Sequence, residues 1–113
     1  MKTAMSVEKV SFEEAYSQAV TQSLTMLGPS TSAVVTSYLN EKFSKRLEDT
    51  MDDPELLSDA LEVAINGGRR IVQRQILRLL YEKIGIDPPS AMTLDFESRI
   101  EEARKEYLNR QSP

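Results

Sequence analysis

Three groups of residues in this chain have types and spacing that could do chemistry. Gly67-Gly68-Arg69-Arg70 stands just ahead of an apolar-periodic segment. Exposed N–H groups at a helix start, the helix dipole and two guanidinium groups could together hold a phosphate or a carboxylate. The plainer reading is a hairpin turn whose glycines adopt positive φ, followed by solvated arginines. It is not a nucleoside-triphosphate loop, because the Lys-Ser/Thr pair and the preceding strand are both missing. Arg70, Arg74 and Arg78 recur every four residues. That makes a basic stripe one side chain wide, able to lie along a nucleic-acid backbone or an acidic partner. Its plainer reading is a solvated face with Arg78 paired to Glu82. Glu55, Asp59 and Glu62 have the side chains of acid–base catalysis or metal binding, but they fall opposite an apolar face, in water and without a histidine, where solubility explains them.

The first two groups share a helix start, and the third lies on the helix before it. Residues 51–68 hold five acidic and no basic side chains, and residues 69–83 hold five basic and one acidic. The sign of charge flips across Asn66-Gly67-Gly68 while the apolar periodicity continues. A helical hairpin with two oppositely charged outer faces follows. Since the charges lie outside both apolar arcs, they point outward more than at each other, and the hairpin is a candidate interface between molecules. A helix-turn-helix reader would want polar groups at the front of its second helix, and Arg69, Arg70, Gln73 and Arg74 are of that kind. No basic arm or loop supports them.

The chain has no Cys and no His. That removes ordinary zinc sites, thiol redox chemistry, disulfides and Ser-His or Cys-His triads. No metal or cofactor is expected, and the protein is expected not to be an enzyme. No window approaches the run of about 20 apolar residues that spans a bilayer. The first residues lack the apolar stretch of a signal peptide, so the expected compartment is the cytoplasm. A length of 113 residues suits one domain able to bury its own core, and 40% hydrophobic content with 28% charged content is that of a folded chain.

The elements that must position these groups are helices. Ser11-Phe12-Glu13-Glu14 reads as a capping box, and Phe12, Tyr16, Ala19, Val20, Leu24 and Leu27 follow at helical spacing up to Gly28-Pro29. A second helix is expected from about Ser30 or Ser32 to Arg46, on Val34, Val35, Tyr38, Leu39, Phe43 and Leu47. A connector, Glu48 to Asp53, leads to a third helix with Asp53 as cap and Pro54 at its first position. Its apolar side is Leu56, Leu57, Ala60, Leu61, Val63, Ala64 and Ile65, and Glu55, Ser58, Asp59 and Glu62 take the other. The fourth, about Arg69 to Ile84, has the widest apolar arc and is expected to be central, with Gly85 as its stop. Beyond the stiff Ile86-Asp87-Pro88-Pro89-Ser90, Thr93 opens a fifth helix to about Asn109. Its seam of Phe96, Ile100, Ala103 and Tyr107 is narrow, and Phe96, Ile100 and Tyr107 are candidates either to dock in the bundle or to pair with another chain.

The stretch Leu61 to Gly85, ending Leu80-Tyr81-Glu82-Lys83-Ile84-Gly85, with Leu27-Gly28 upstream, resembles a short helical domain of unassigned function found in ammonia-oxidising archaea. The resemblance spans roughly Phe12 to Ile86 and departs at the turn, where that family places a small residue and this chain has Arg69-Arg70. It implies a helical fold and an archaeal, cytoplasmic setting, and no activity. Together these readings give an all-α bundle of about five helices: a lead-in over 1–10, a core over 11–86, and a linker with an amphipathic helix over 87–113. The expected role is a non-enzymatic protein-interaction module that self-associates, with homodimerisation the expected mode and no membrane partner. The alternatives are a nucleic-acid-binding regulator using the helix at 69–83 and a sensor of small anions at Gly67–Arg70.

Overall fold

The computed structural model describes residues 11–87 and 95–111, and these form an all-α bundle. The helices are α1 (Phe12–Leu27), α2 (Pro29–Phe43), α3 (Pro54–Ala64), α4 (Arg69–Ile84) and α5 (Phe96–Gln111), with a 3-10 turn at Leu47–Met51. No strand occurs among the described residues. The lead-in expected at 1–10, the Pro-Pro linker and Thr93 lie outside them.

Local chemistry accounts for most of the ends. At α1 the Ser11 hydroxyl accepts from the Glu14 N–H at 3.1 Å, and the Glu14 carboxylate accepts from the Ser11 N–H at 3.3 Å. Two orphan donors are thereby satisfied. Gly28 ends α1 with φ 107° and ψ 159°, a positive-φ but extended conformation rather than the left-handed helical one, and this lets Pro29 open α2 immediately. Helix α2 stops three residues short of the expected Arg46. Ser44 turns left-handed (φ 55°), and Asp49 accepts from the Arg46 N–H at 2.9 Å, which starts the 3-10 turn where a connector was expected. Asp53 precedes α3 as expected, but its side chain makes no cap hydrogen bond. Gly85 closes α4 with the Ile86 N–H donating to Tyr81 O at 3.1 Å and Ile86 tucked into the core, a glycine-ended cap with its usual apolar contact. At α5 Asp95 takes the capping role expected of Thr93, accepting from the Ser98 N–H at 2.8 Å. That contact holds the Asp95 carboxyl below the usual carboxylate range.

The core runs through every helix. Phe12, Tyr16, Val20 and Leu24 of α1 meet Val72, Ile76, Leu77 and Leu80 of α4 in the most extensive helix pair. Helix α2 adds Val35 and Leu39 and packs on α3, which adds Leu57, Ala60 and Leu61. Helix α4 touches α1, α3 and α5, the central position its wide apolar arc demands. At the base of α1 the buried Tyr16 hydroxyl lies 2.7 Å from Thr50 Oγ1. Since Thr50 already donates to Leu47 O at 2.6 Å, Tyr16 is the donor of the pair. Burial pushes the Tyr16 phenol well above its ordinary range.

Helix α5 belongs to this core. Phe96, Ile100 and Ala103 are buried against α3 and α4, and the Tyr107 ring packs on Phe12 with centroids 6.1 Å apart. Two of the three residues considered for a seam with another chain, Phe96 and Ile100, are therefore interior here, and Tyr107 is half-covered. The apolar core does not divide at residue 86.

Candidate functional site on the outer faces of the hairpin

The turn between α3 and α4 is built from two glycines with different reasons. Gly67 sits at φ 84°, which a side chain would resist. Gly68 has an ordinary φ of −108°, but a Cβ there would stand 2.6 Å from Ile65 Cγ2. It is glycine for space, not for its dihedral angles, and the expectation of positive φ holds at Gly67 alone.

The turn does not offer two free guanidinium groups to an anion. Arg69 Nε lies 3.6 Å from Glu62 Oε1 across the hairpin. That pair neutralises one arginine and brings a carboxylate to the mouth of the turn, where it would repel the anion the motif suggested.

Past the turn, the outer face of α4 is basic and partly apolar. Arg70, Arg74 and Arg78 are all exposed, and among the described residues none of the three has an ion pair. Arg78 donates to Gln75 Oε1 at 2.7 Å rather than pairing with Glu82. Gln75 in turn reaches Met26 Sδ at 3.8 Å, so the C-terminal end of α1 borders this face. Among these side chains Ile71 is 75% exposed, and Met26 is 67% exposed. Ile71 falls at i, Arg74 at i+3, Gln75 at i+4 and Arg78 at i+7, so all four share one side of the helix.

The outer face of α3 has the same plan in opposite charge. Glu55, Asp59 and Glu62 are exposed, as expected. Val63 was expected on the apolar side, yet it lies beside Asp59 and Glu62 at 56% exposure. The interior side of α3 is filled by Leu57, Ala60 and Leu61, which leaves Val63 turned to solvent. No group of three acidic side chains among the described residues is placed to hold a metal ion.

Ser58, expected on the polar side of α3, is instead buried and fully hydrogen-bonded. Its hydroxyl donates to Glu97 Oε2 of α5 and accepts from Gln73 Nε2 of α4, both at 2.7 Å. A serine beside a carboxylate has the outline of an activated nucleophile. Here three helices cover it, so the contact ties α5 to the hairpin. Arg99 of α5 is buried as well, with a side chain only 5% exposed. Its Nη1 pairs with Glu102 Oε1 at 2.8 Å, and its Nε has no hydrogen-bond partner. It faces the Tyr81 hydroxyl, whose pKa burial raises and the guanidinium counteracts. Tyr81 and Arg99 line a shallow cleft of about 400 Å³ with Asp87, Glu102, Lys105 and Arg110. With Glu106, which also lines it, opposite charges balance around it. Ser58 lies at i−3 from Leu61 and Arg99 at i+3 from Phe96, beside the apolar side of each helix, and it is the packing of α5 on α3 and α4 that covers them.

No family model matches this chain, and no curated protein or solved structure matches it either. The functional argument therefore rests on surface chemistry.

Proposed function

We propose that the protein is a non-enzymatic interaction module that self-associates through the outer face of α4. The observation that carries this reading is Ile71, a large apolar side chain held out in water at the edge of an arginine stripe, one helical turn from Arg74. A single exposed hydrophobe needs no explanation, but one on the same helix side as Arg74, Arg78 and Gln75, with Gln75 in turn reaching exposed Met26, has the make-up of an interface anchor. The apolar seam of α5 is not the contact surface, because Phe96 and Ile100 are used within the chain.

Nucleic-acid binding by the same stripe is the competing reading, and Ile71 separates the two. A phosphate backbone is held by charge, so Arg74→Gln with Arg78→Gln would weaken it and Ile71→Ser would not. A protein interface loses affinity in both variants. The test is sedimentation of wild-type and Ile71→Ser protein up to about 100 μM, a concentration that populates a complex of micromolar Kd. Reversible association of the wild type, weakened about tenfold or more by Ile71→Ser, is the expected result for a buried anchor. A wild type that stays monomeric and shifts DNA in a salt-sensitive way would replace this reading with the other.

A further inference from the structure

Resting on the reading of α4 as a contact surface, we infer that its occupant is the α3 outer face of a second copy of this chain. The two faces match in chemistry and in plan. One carries Arg70, Arg74 and Arg78 with exposed Ile71 at their edge; the other carries Glu55, Asp59 and Glu62 with exposed Val63 beside Asp59 and Glu62. Each sets its apolar side chain among like charges, which is a costly environment to leave unpartnered and a favourable one once the opposite face arrives. The two apolar side chains then meet in a dry centre, and the arginines and carboxylates close around it as a polar rim.

The charge pattern also specifies orientation. A basic face on a basic face, or an acidic face on an acidic one, would juxtapose like charges at short range and is disfavoured. Pairing α4 with α3 is the arrangement that satisfies both. Within a single chain the two helices meet in charge only beside the turn, at Arg69 and Glu62, because both turn their apolar sides to one core and the rest of their charged sides to solvent. The intramolecular Arg69–Glu62 pair leaves Arg70, Arg74, Glu55 and Asp59 available.

Charge exchange tests this directly. One variant carries Arg74→Glu and Arg78→Glu; the other carries Glu55→Lys and Asp59→Lys. All four positions are exposed, and circular dichroism and melting confirm that each variant folds; should the lysine variant melt early, Glu55→Gln with Asp59→Asn replaces it in the single-variant arm. Each variant alone is expected to associate about tenfold or more weakly than the wild type, since it sets like charges against each other. An equimolar mixture of the two charge-reversed variants is expected to recover association, because each then offers the face the other lacks. A mixture that does not recover, or a Glu55→Lys, Asp59→Lys variant that associates as well as the wild type, overturns the α4-on-α3 pairing but leaves α4 as a contact surface; an Arg74→Glu, Arg78→Glu variant that associates as well as the wild type overturns both. Wild type monomeric throughout the same range overturns the contact surface itself, and the pairing with it.

Discussion

Ile71 and Ile76 lie on the same helix, five residues apart, and their surroundings are opposite. Ile76 is wholly buried, packed in the core that α4 shares with α1. Ile71 projects into solvent between arginines. The inner side of α4 is committed to the fold, where each apolar group removed from water contributes to stability. Its outer side contributes almost nothing to folding. Ile71 is the apolar side chain that the fold itself leaves uncovered on this side.

Four substitutions or conditions break or sharpen this contrast. Ile76→Ala leaves a cavity among side chains that cannot collapse fully, and is expected to cost about 2–5 kcal/mol, read as a lower denaturant midpoint. Alkaline titration probes the same core through Tyr16. Burial keeps its phenol protonated above the ordinary value of 10.0, whereas the unfolded chain releases that proton there. The unfolded state then binds fewer protons, so stability held below pH 10 is expected to fall as pH rises beyond it. Tyr16→Phe deletes the bond to Thr50 and is expected to cost about 1–2 kcal/mol at neutral pH, and to reduce that alkaline slope. Ile71→Ser is expected to change stability by no more than about 0.5 kcal/mol, as exposed substitutions do, while weakening association. A comparable loss of stability in Ile71→Ser and Ile76→Ala would erase the distinction between the two sides.

Arg99 adds a second contrast, within α5. Glu102 is 55% exposed while its partner Arg99 is buried, so removing the arginine does not strand a charge in the core. Arg99→Met is expected to be neutral or stabilising by about 0–2 kcal/mol, because the desolvated guanidinium and its unpartnered Nε are removed while the packed stem is retained. A loss beyond that, measured by melting, would show that the Glu102 and Tyr81 contacts outweigh the burial.

The helices were legible where a single physical cause sets them. The recurrence of Phe12, Tyr16, Val20 and Leu24 marks α1 because only one face can reach the core, and Gly85 marks the end of α4 because the cap needs a left-handed residue. The ends of α2 and α5 were less so, since Ser44 turns left-handed and Asp49 draws the chain into a 3-10 turn, and since Asp95 caps α5 where Thr93 reads as a cap as well. Ser58 belongs to the core side for a different reason, and Arg99 shares it. A helical wheel assigns polar side chains to water, and whether a second helix covers them depends on packing between segments far apart in sequence, here α5 returning onto α3 and α4. The charge reversal across Asn66-Gly67-Gly68 was visible directly. That Val63 sits beside the acidic face was not, because it fits the apolar arc of α3 on paper and the interior side is filled by Leu57, Ala60 and Leu61 instead.

Methyl chemical shifts of isoleucine and valine, followed as the protein is concentrated to about 1 mM, test the central claim most directly, because weak association then appears residue by residue. The account predicts that Ile71 and Val63 move together with concentration while Ile76, Ile100 and Val35 stay fixed. Shifts centred on any other surface, or none across the range, would contradict it.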